Sequence, residues 1–320
     1  MRPRVFIARP LPEKPLTIIQ NECEVEIWYE ENSPPFAEKT ADIDGLVTYG
    51  HEPITADLLD NARRLKVIAN MGVGYDHIDV VAATKRGIAV GNTPGALNEA
   101  TADLAFALLL SAARNVVTGD RFIRAGHWRK YDPHILWGAE VHGATLGIIG
   151  LGRIGRAVAR RARGFEMRIL YYQRNRAPGW EEELGLAYTS LEDLLAQSDF
   201  VVIMTPLTPQ THHLIGQKEL ARMKRSAILI NTARGPIVDS TALYEALRDG
   251  IIAGAGLDVF DPEPIPLDDP LLTLDNVVLC PHLGSASLQT RVKMGMMVAE
   301  NLLAGLKDQP LPYPINPAVR

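Results

Sequence analysis

Three polar residues in the second half of the chain stand where apolar, strand-like segments end, and their types suggest acid–base chemistry. Arg234 follows "AILI", Glu263 follows "AGLDVF" and His282 follows "VVLC". An arginine fork suits a carboxylate, a histidine can pass a proton to a carbonyl oxygen, and a carboxylate beside that histidine stabilises its protonated form. The set therefore suits reduction of a 2-keto acid, in which Arg234 would grip the carboxylate and His282 would give the proton.

Each of these residues also has an ordinary structural explanation. A single histidine is more often packed than catalytic, Arg234 could cap a helix, and Glu263 sits in a Pro-rich loop where solvated acids are common. Their placement favours a shared role, because loops at the carboxyl ends of parallel strands line one crevice. The sequence therefore predicts that the three side chains converge.

The segments that must position these residues alternate between β-rich and amphipathic patterns. One series of apolar runs lies within the first 72 residues, and a second begins at residue 145. Near-continuous apolar strands separated by helical segments indicate parallel sheets covered on both faces, so the predicted class is α/β with two doubly wound domains. The runs are "VFIAR", "VEIWYE", "GLVTYG" and "KVIANMG" in the first series, and "TLGIIG", "RILYY", "FVVIM", "AILINTA", "AGLDVF" and "VVLC" in the second.

Two long helices are predicted on either side of the second series. The first, "NEATADLAFALLLSAARNVVTGDRFI", begins at Asn98 or Glu99, and the other, "SLQTRVKMGMMVAENLLAGL", has Gly305 as its predicted stop. We expect the chain to cross between domains and return at these helices. The predicted domains are a substrate domain, residues 1–98 and 288–320, and a dinucleotide-binding domain, residues 99–287, with the active site in the cleft between them.

The segment "ATLGIIGLGRIGRAVARRAR" places three glycines between a hydrophobic strand and a helix. Gly150 permits a tight turn, Gly152 allows the backbone to approach a pyrophosphate, and Gly155 allows close packing of helix and strand. The N–H groups and the positive end of the helix dipole would then receive the phosphates. Because the chain has 26 glycines, the spacing alone could mark only a tight turn, but its strand–turn–helix context favours a bound dinucleotide.

The residues after the next predicted strand bear on which dinucleotide binds. In NAD sites an acid about 20 positions beyond the glycines binds the ribose hydroxyls, but this sequence reads "YYQRNR" at 171–176. Gln173 carries no charge that would repel a 2′-phosphate, and Arg174, with Arg176 as a second candidate, could pair with it. Arginines outnumber lysines 24 to 9, so that bias could place two arginines here, but it does not explain the missing acid. NADPH (NADP) is the expected cofactor, with NAD as the alternative.

Composition bounds the class of protein. Hydrophobic residues make up 47% and charged residues 22% of the chain, which is ordinary for a globular protein. The net charge of −5 argues against nucleic acid or an anionic membrane as partner. Cys23 and Cys280 are too few for a disulfide framework or a metal site, so no metal is predicted. The start lacks a signal-peptide pattern and the apolar run 104–113 is too short to span a bilayer, so a cytoplasmic location is expected.

Four motifs, in their order and spacing, resemble those of the D-isomer-specific 2-hydroxyacid dehydrogenases: "LGIIGLGRIG", "NTARGPIVDSTAL", "GAGLDVFDPEP" and "PHLGSAS". The segments "NMGVGYDHID" at 70–79 and "NTPGALNEATADLAFALLL" at 92–110 are also similar to family signatures, so the resemblance covers nearly the whole chain. Within the family, the sequence is most similar to the glyoxylate/hydroxypyruvate reductases. The resemblance implies a Rossmann-type cofactor domain, a flavodoxin-like substrate domain and reduction of a small keto acid.

The resemblance also implies roles for particular residues. Arg234, Glu263 and His282 would form a catalytic triad, and the backbone at Val73 and Gly74 would receive the substrate carboxylate alongside Arg234. The residues that the glycine motif and the resemblance together assign to the cofactor are Thr101, Gly150, Leu151, Gly152, Arg153, Ile154, Gly155, Gln173, Arg174, Asn175, Arg176, Thr205, Pro206, Thr232, Ala233, Arg234, Asp258 (at the nicotinamide carboxamide), His282 and Gly284.

Members of the family commonly work as homodimers through their cofactor domains, with an arm exchanged between the helix and the glycine turn. Residues 119–144 occupy that place, so a homodimer is expected. Trp128 and Trp137 lie in this segment. They could serve ordinary packing in a long loop or a role near the partner's active site, and the sequence favours neither.

Two sequence features bear on the substrate. The chain ends at Arg320, without the long extension of many phosphoglycerate dehydrogenases, and the loops "GLVTYGHEP" and "NMGVGYD" hold no basic cluster for a phosphate. Glyoxylate and hydroxypyruvate are therefore expected, with phosphoglycerate and D-lactate as alternatives.

A dinucleotide-sensing scaffold similar to the C-terminal-binding-protein corepressors is a rival of another class, since those retain the triad. A formate dehydrogenase-like enzyme is disfavoured, because those pair the histidine with a neutral amide where this chain has Glu263.

Overall fold

The computed structural model describes residues 2–28, 36–50 and 52–319. These residues form two compact units. Unit 1 comprises the residues up to Leu97 together with those from Ser285 onward, and unit 2 comprises Asn98–Gly284. Tyr29 and Glu30, the last two residues of the predicted strand segment "VEIWYE", lie outside the described residues.

Unit 1 contains a five-stranded parallel sheet in the order β2-β1-β3-β4-β5. This is the order of flavodoxin-like doubly wound folds. Its strands are β1 (Arg4–Ile7), β2 (Glu24–Ile27), β3 (Gly45–Thr48), β4 (Val67–Asn70) and β5 (Ala89–Gly91), and its helices are α1 (Glu13–Glu22), α2 (Phe36–Lys39), α3 (Ala56–Asn61), α4 (Val80–Lys85) and α12 (Leu288–Leu306).

Helix α12 packs on α1 and on strands β3 to β5. Ser287 caps it by accepting the N–H of Thr290, as expected for a serine at this position. The sequence places Gly305 near the end of this helix as its stop; the helix ends one residue later, at Leu306, so Gly305 lies inside its last turn rather than beyond it. A Cβ there would come within 2.6 Å of Val67, so the glycine serves close packing of α12 on β4.

Unit 2 contains a seven-stranded parallel sheet in the order β12-β11-β10-β9-β6-β7-β8. The strand order reverses between β6 and β9, which is the switch point where Rossmann folds bind dinucleotides. Its strands are β6 (Thr145–Ile149), β7 (Arg168–Tyr172), β8 (Leu186–Tyr188), β9 (Phe200–Ile203), β10 (Ile228–Asn231), β11 (Gly254–Leu257) and β12 (Val277–Leu279), and its helices are α5 (Asn98–Ala113), α6 (Val116–Arg124), α7 (Arg153–Gly164), α8 (Pro178–Leu184), α9 (Leu191–Gln197), α10 (Gln217–Leu220) and α11 (Ser240–Arg248).

Helices cover both faces of this sheet. Successive strand residues point to opposite faces, so neighbouring residues pack against different helices. Ile148 lies in a hydrophobic cluster with Leu109 of α5 and Val158 of α7. The next residue, Ile149, lies in a second cluster with Leu194 of α9. The predicted α/β class with two doubly wound parallel sheets is confirmed.

The single long helix predicted from Asn98 is wrong. Helices α5 and α6 are separate, because Asn115 between them adopts a left-handed conformation with φ 53°, which asparagine tolerates better than most residues. Its side chain donates to the carbonyls of Leu136 and Trp137. Within the described part of the chain, no single helix is long and apolar enough to cross a membrane. Helices α5 and α6 have that length and composition only when taken together, as a pair bent by 61°.

Candidate active site

The turn between β6 and α7 has the geometry that its glycines predict. Gly150 has φ +100°, and a Cβ there would lie 2.8 Å from backbone atoms of Met204 and Thr205. A Cβ on Gly155 would lie 2.2 Å from the carbonyl oxygen of Gly150. Neither position accepts a side chain without movement of the backbone, so both glycines are required by the turn itself.

Gly152 differs from the other two, because a Cβ there would meet nothing within 4 Å. It is the N-cap of α7, and no side chain caps that helix. A helix N-terminus with uncapped N–H groups, preceded by a glycine with open space beside it, is where a pyrophosphate binds. The turn therefore fits a dinucleotide, with Arg153, Ile154 and Gly155 as the first residues of the receiving helix.

The loop after β7 is tied to the glycine turn through Gln173. Its Oε1 accepts the N–H of Leu151 at 3.1 Å, and its Nε2 donates to the carbonyl of Asn175 at 2.6 Å. The Leu151 N–H is therefore already bonded within the protein. Arg174 is exposed, and no ion pair to it occurs among the residues that the structure describes.

Arg176, the second arginine predicted near a 2′-phosphate, is bound to a carboxylate. Its Nε and Nη2 donate to Oε1 and Oε2 of Glu181 at 2.8 and 2.7 Å. Helix α8 brings Glu181 to this loop, a contact that the sequence did not reveal. Of the two predicted arginines, Arg174 is the one whose guanidinium is not engaged by an acid of the described chain.

Arg234 follows β10, where Asn231 shapes the turn. Asn231 is buried, and its side chain accepts the backbone N–H two residues on at 3.0 Å and donates to the carbonyl of Arg234 at 2.9 Å. Gly235 lies against the loop after β11, because a Cβ on it would be 1.9 Å from the carbonyl oxygen of Phe260. The loop that carries Arg234 therefore contacts the loop that carries Glu263.

Glu263 joins that loop to His282. Its Oε1 accepts the N–H of Phe260 at 2.8 Å, and its Oε2 lies 2.8 Å from His282 Nδ1. The glutamate side chain is 19% exposed and the imidazole 40%, so the histidine is the more accessible partner. The structure thus brings together the acid and the histidine that the sequence singled out.

His282 has a left-handed backbone, with φ 53°, which is unfavourable for a residue with a Cβ. Asp258 holds this turn: its carboxylate accepts the N–H groups of Leu283 and Gly284 at 2.6 and 2.8 Å, and its carbonyl accepts that of His282 at 3.0 Å. Burial raises the pKa of Asp258, and the two backbone donors act in the opposite direction. Its positioning of the His282 turn was missed from the sequence, and its contact with a carboxamide stays a prediction.

The other residues predicted to contact the cofactor lie around the carboxyl edge of the unit 2 sheet. Thr101 of α5 is buried and neighbours Gly284, since a Cβ on that glycine would be 3.5 Å from Thr101 Oγ1. Those that directly follow strands are Thr205 and Pro206 after β9, and Thr232 and Ala233 after β10.

In unit 1, the loop after β4 has its carbonyl groups bonded to asparagines. Asn70 donates to the carbonyls of Gly72 and Gly74 at 3.3 and 2.8 Å, and Asn92 donates to that of Val73 at 2.8 Å. No acceptor among the described residues bonds the N–H of Val73 or Gly74. Such a loop suits an anion. Neither asparagine was singled out from the sequence, although an asparagine that ends a buried strand, as Asn70 does, is a usable signal.

Comparison with known proteins decides the family. A family model described as D-isomer specific 2-hydroxyacid dehydrogenase, NAD binding domain, matches residues 106–284. The chain belongs to the D-isomer specific 2-hydroxyacid dehydrogenases. The family that the motifs resemble is therefore confirmed, and with it the oxidoreductase class and an NAD(P)-binding domain.

Relatives of this dehydrogenase chain match along its whole length. Glyoxylate reductase from Korarchaeum cryptofilum is 53% identical over 323 residues, covering 100% of this chain and 97% of the relative. Glyoxylate reductase from Pyrococcus furiosus is 50% identical over 326 residues, with the same coverage. The crystal structure of NADPH-dependent glyoxylate/hydroxypyruvate reductase from Sinorhizobium meliloti, in complex with NADP and malonate, is similar with a TM-score of 0.87 and 33% identity, covering 100% of this chain and 98% of that one.

Proposed function

We propose that this chain reduces a small 2-keto acid, glyoxylate or hydroxypyruvate, to the corresponding 2-hydroxy acid. The observation that carries the proposal is the 2.8 Å contact between Glu263 Oε2 and His282 Nδ1, because an imidazolium stabilised by a carboxylate is a suitable proton donor to a carbonyl oxygen. The pair follows strands of the same sheet as the glycine turn. The relatives named glyoxylate reductase support this substrate class.

In the proposed reaction, Arg234 binds the substrate carboxylate with two parallel hydrogen bonds and polarises the carbonyl. We assign unit 1 as the substrate domain, with the N–H groups of Val73 and Gly74 as its carboxylate-binding groups, and unit 2 as the cofactor domain. When bound, the reduced nicotinamide supplies the hydride. Glu263 faces Nδ1 of His282, so the other ring nitrogen, Nε2, is the one that donates its proton to the carbonyl oxygen.

A substrate panel tests this proposal. Glyoxylate, hydroxypyruvate, pyruvate and phosphohydroxypyruvate are each assayed with NADH and with NADPH, and His282→Ala measures background reduction. We expect glyoxylate and hydroxypyruvate to give the highest kcat/KM. A higher value with phosphohydroxypyruvate or pyruvate would instead assign a phosphoglycerate- or lactate-type dehydrogenase. Binding of reduced cofactor without turnover of any keto acid would favour the dinucleotide-sensing scaffold.

We further propose that NADPH is preferred over NADH, through Arg174. The support is the missing acid after β7, the neutral Gln173 in its place, and an exposed Arg174 without an ion pair among the described residues. One charge-assisted hydrogen bond to the 2′-phosphate would favour NADPH about ten- to hundredfold. Arg174→Ala should remove that advantage and leave kcat/KM with NADH unchanged. Equal kcat/KM for the two cofactors, unaltered in Arg174→Ala, would overturn the preference.

The segment predicted as an arm, residues 119–144, carries exposed apolar side chains that support a homodimer. Helix α6 buries none of its own residues, and Trp128, Tyr131 and Trp137 are 56%, 82% and 74% exposed. Exposed apolar side chains clustered in one segment mark an interaction surface, and we propose a second copy of this chain as the occupant. Sedimentation equilibrium should show a dimer that Tyr131→Asp weakens. A monomeric wild-type protein would refute this assignment.

A further inference from the structure

The Arg176 side chain is held by a network that the proposed reaction does not use. Its bidentate partner, Glu181, is itself anchored by Tyr171, which is fully buried. The Tyr171 hydroxyl donates to Glu181 Oε1 at 2.6 Å and accepts the N–H of Ala177 at 2.9 Å. Arg176, Glu181 and Tyr171 are called the arginine clamp below. The carboxylate is 14% exposed and Arg176 62%, so a fixed acid occupies the fork of a solvent-facing arginine.

The arginine clamp lies beside the proposed 2′-phosphate site. Arg176 is two residues from Arg174, and their loop is bonded to the glycine turn through Gln173 and the N–H of Leu151. The Tyr188 hydroxyl also donates to the carbonyl of Gln173 at 3.4 Å. One short loop therefore carries two arginines, of which Arg176 is already neutralised by an acid.

We propose that Glu181 is a specificity-determining residue, which limits the preference for NADPH over NADH by withholding Arg176 from the 2′-phosphate. A phosphate and a carboxylate compete for one guanidinium fork, since each accepts two parallel N–H bonds from it. Hydrogen bonds from Arg176 and then Tyr171 lower the pKa of Glu181 to about 2, so the carboxylate stays charged at neutral pH. The inference rests on the proposed cofactor site and adds a residue outside the predicted cofactor contacts.

The test is Glu181→Gln, which keeps the size of the side chain and removes its charge. The ratio of kcat/KM with NADPH to kcat/KM with NADH should rise about tenfold, the effect of one charge-assisted hydrogen bond. Calorimetry on the protein without cofactor should show the Kd for 2′-AMP falling by about the same factor, while the Kd for 5′-AMP is unchanged. Arg176→Ala alone should not raise the ratio, because it leaves the charged Glu181 carboxylate without its partner, and that carboxylate repels a 2′-phosphate.

Glu182→Gln is the matched control, because it removes the same charge from the adjacent, exposed position of α8. It should leave the cofactor ratio and both Kd values unchanged, and the double variant Glu181→Gln/Arg176→Ala should return them to wild type. The proposal is overturned if Glu181→Gln changes neither the ratio nor the 2′-AMP Kd, or if its gain survives in the double variant.

These outcomes are distinct from a failure of the proposed function. If the wild-type protein prefers NADH, or if Arg174→Ala has no effect, the proposed NADPH preference fails, but the response to Glu181→Gln still tests whether Glu181 withholds Arg176. If no keto acid is turned over, the Kd for 2′-AMP alone tests this role of Glu181.

Discussion

Replacing Glu263 by glutamine tests the acid–base pair with the smallest change of shape. The two carboxylate oxygens face two different groups: Oε1 accepts the N–H of Phe260 and Oε2 faces His282 Nδ1, each at 2.8 Å. A glutamine has one acceptor oxygen and one donor group, so it cannot accept a hydrogen bond from both groups. Either its NH2 faces Nδ1, which must then be unprotonated, or its NH2 faces the N–H of Phe260, where two donors oppose each other. Both arrangements disfavour the protonated ring.

The magnitude follows from the bond that is lost. A hydrogen bond to a charged partner contributes about 1.5–3 kcal/mol, and each ~1.4 kcal/mol lost from the stabilisation of the transition state lowers kcat/KM about tenfold. Because the imidazole is 40% exposed, solvent screening favours the lower end of that range. In Glu263→Gln we therefore expect kcat/KM for glyoxylate reduction to fall about tenfold.

The assay is kcat/KM for glyoxylate reduction, measured for both proteins in the same buffer. Asp261→Asn is the matched control, because it removes an exposed carboxylate from the same loop and should leave kcat/KM unchanged. A kcat/KM of Glu263→Gln equal to that of the wild type would refute the role given to this pair.

Three further predictions separate chemistry from folding. His282→Ala should lower kcat by about 10²–10⁴-fold with an unchanged thermal midpoint by circular dichroism, and near-normal turnover would remove His282 from the reaction. Arg234→Lys should raise KM for glyoxylate, because an ammonium cannot form two parallel bonds, and a wild-type KM would contradict this. Gly152→Ala should weaken cofactor binding without changing the thermal midpoint, because its Cβ meets no protein atom within 4 Å. Gly155→Ala should lower the thermal midpoint, because its Cβ would lie 2.2 Å from the Gly150 carbonyl oxygen. Equal losses of stability in the two variants would make Gly152 a purely structural position.

Local patterns were sufficient for most of the fold. Apolar runs without alternation need cover on both faces, which is the condition for a buried parallel sheet, and the glycine spacing at 150–155 indicates a strand–turn–helix. Strands β5 and β8 were missed because each is three residues long and contains residues that are depleted in strands, alanine in both and glycine in β5, whereas the equally short β12 consists only of valine and leucine. The break at Asn115 was also missed, since it depends on hydrogen bonds to Leu136 and Trp137, about twenty positions away.

The sequence by itself determined the family, the α/β class, and the residue types that stand at the strand ends, because these depend on composition, spacing and order alone. The tertiary structure decided which of those residues meet. Glu263 reaches His282 because β11 and β12 are neighbours in the sheet. The carboxylate of Asp258 accepts backbone N–H groups of the His282 turn. Helix α8 brings Glu181 into contact with only one of two arginines that look equivalent in the sequence. A hydrogen bond needs a distance and a direction, and between residues far apart along the chain only the folded backbone sets both.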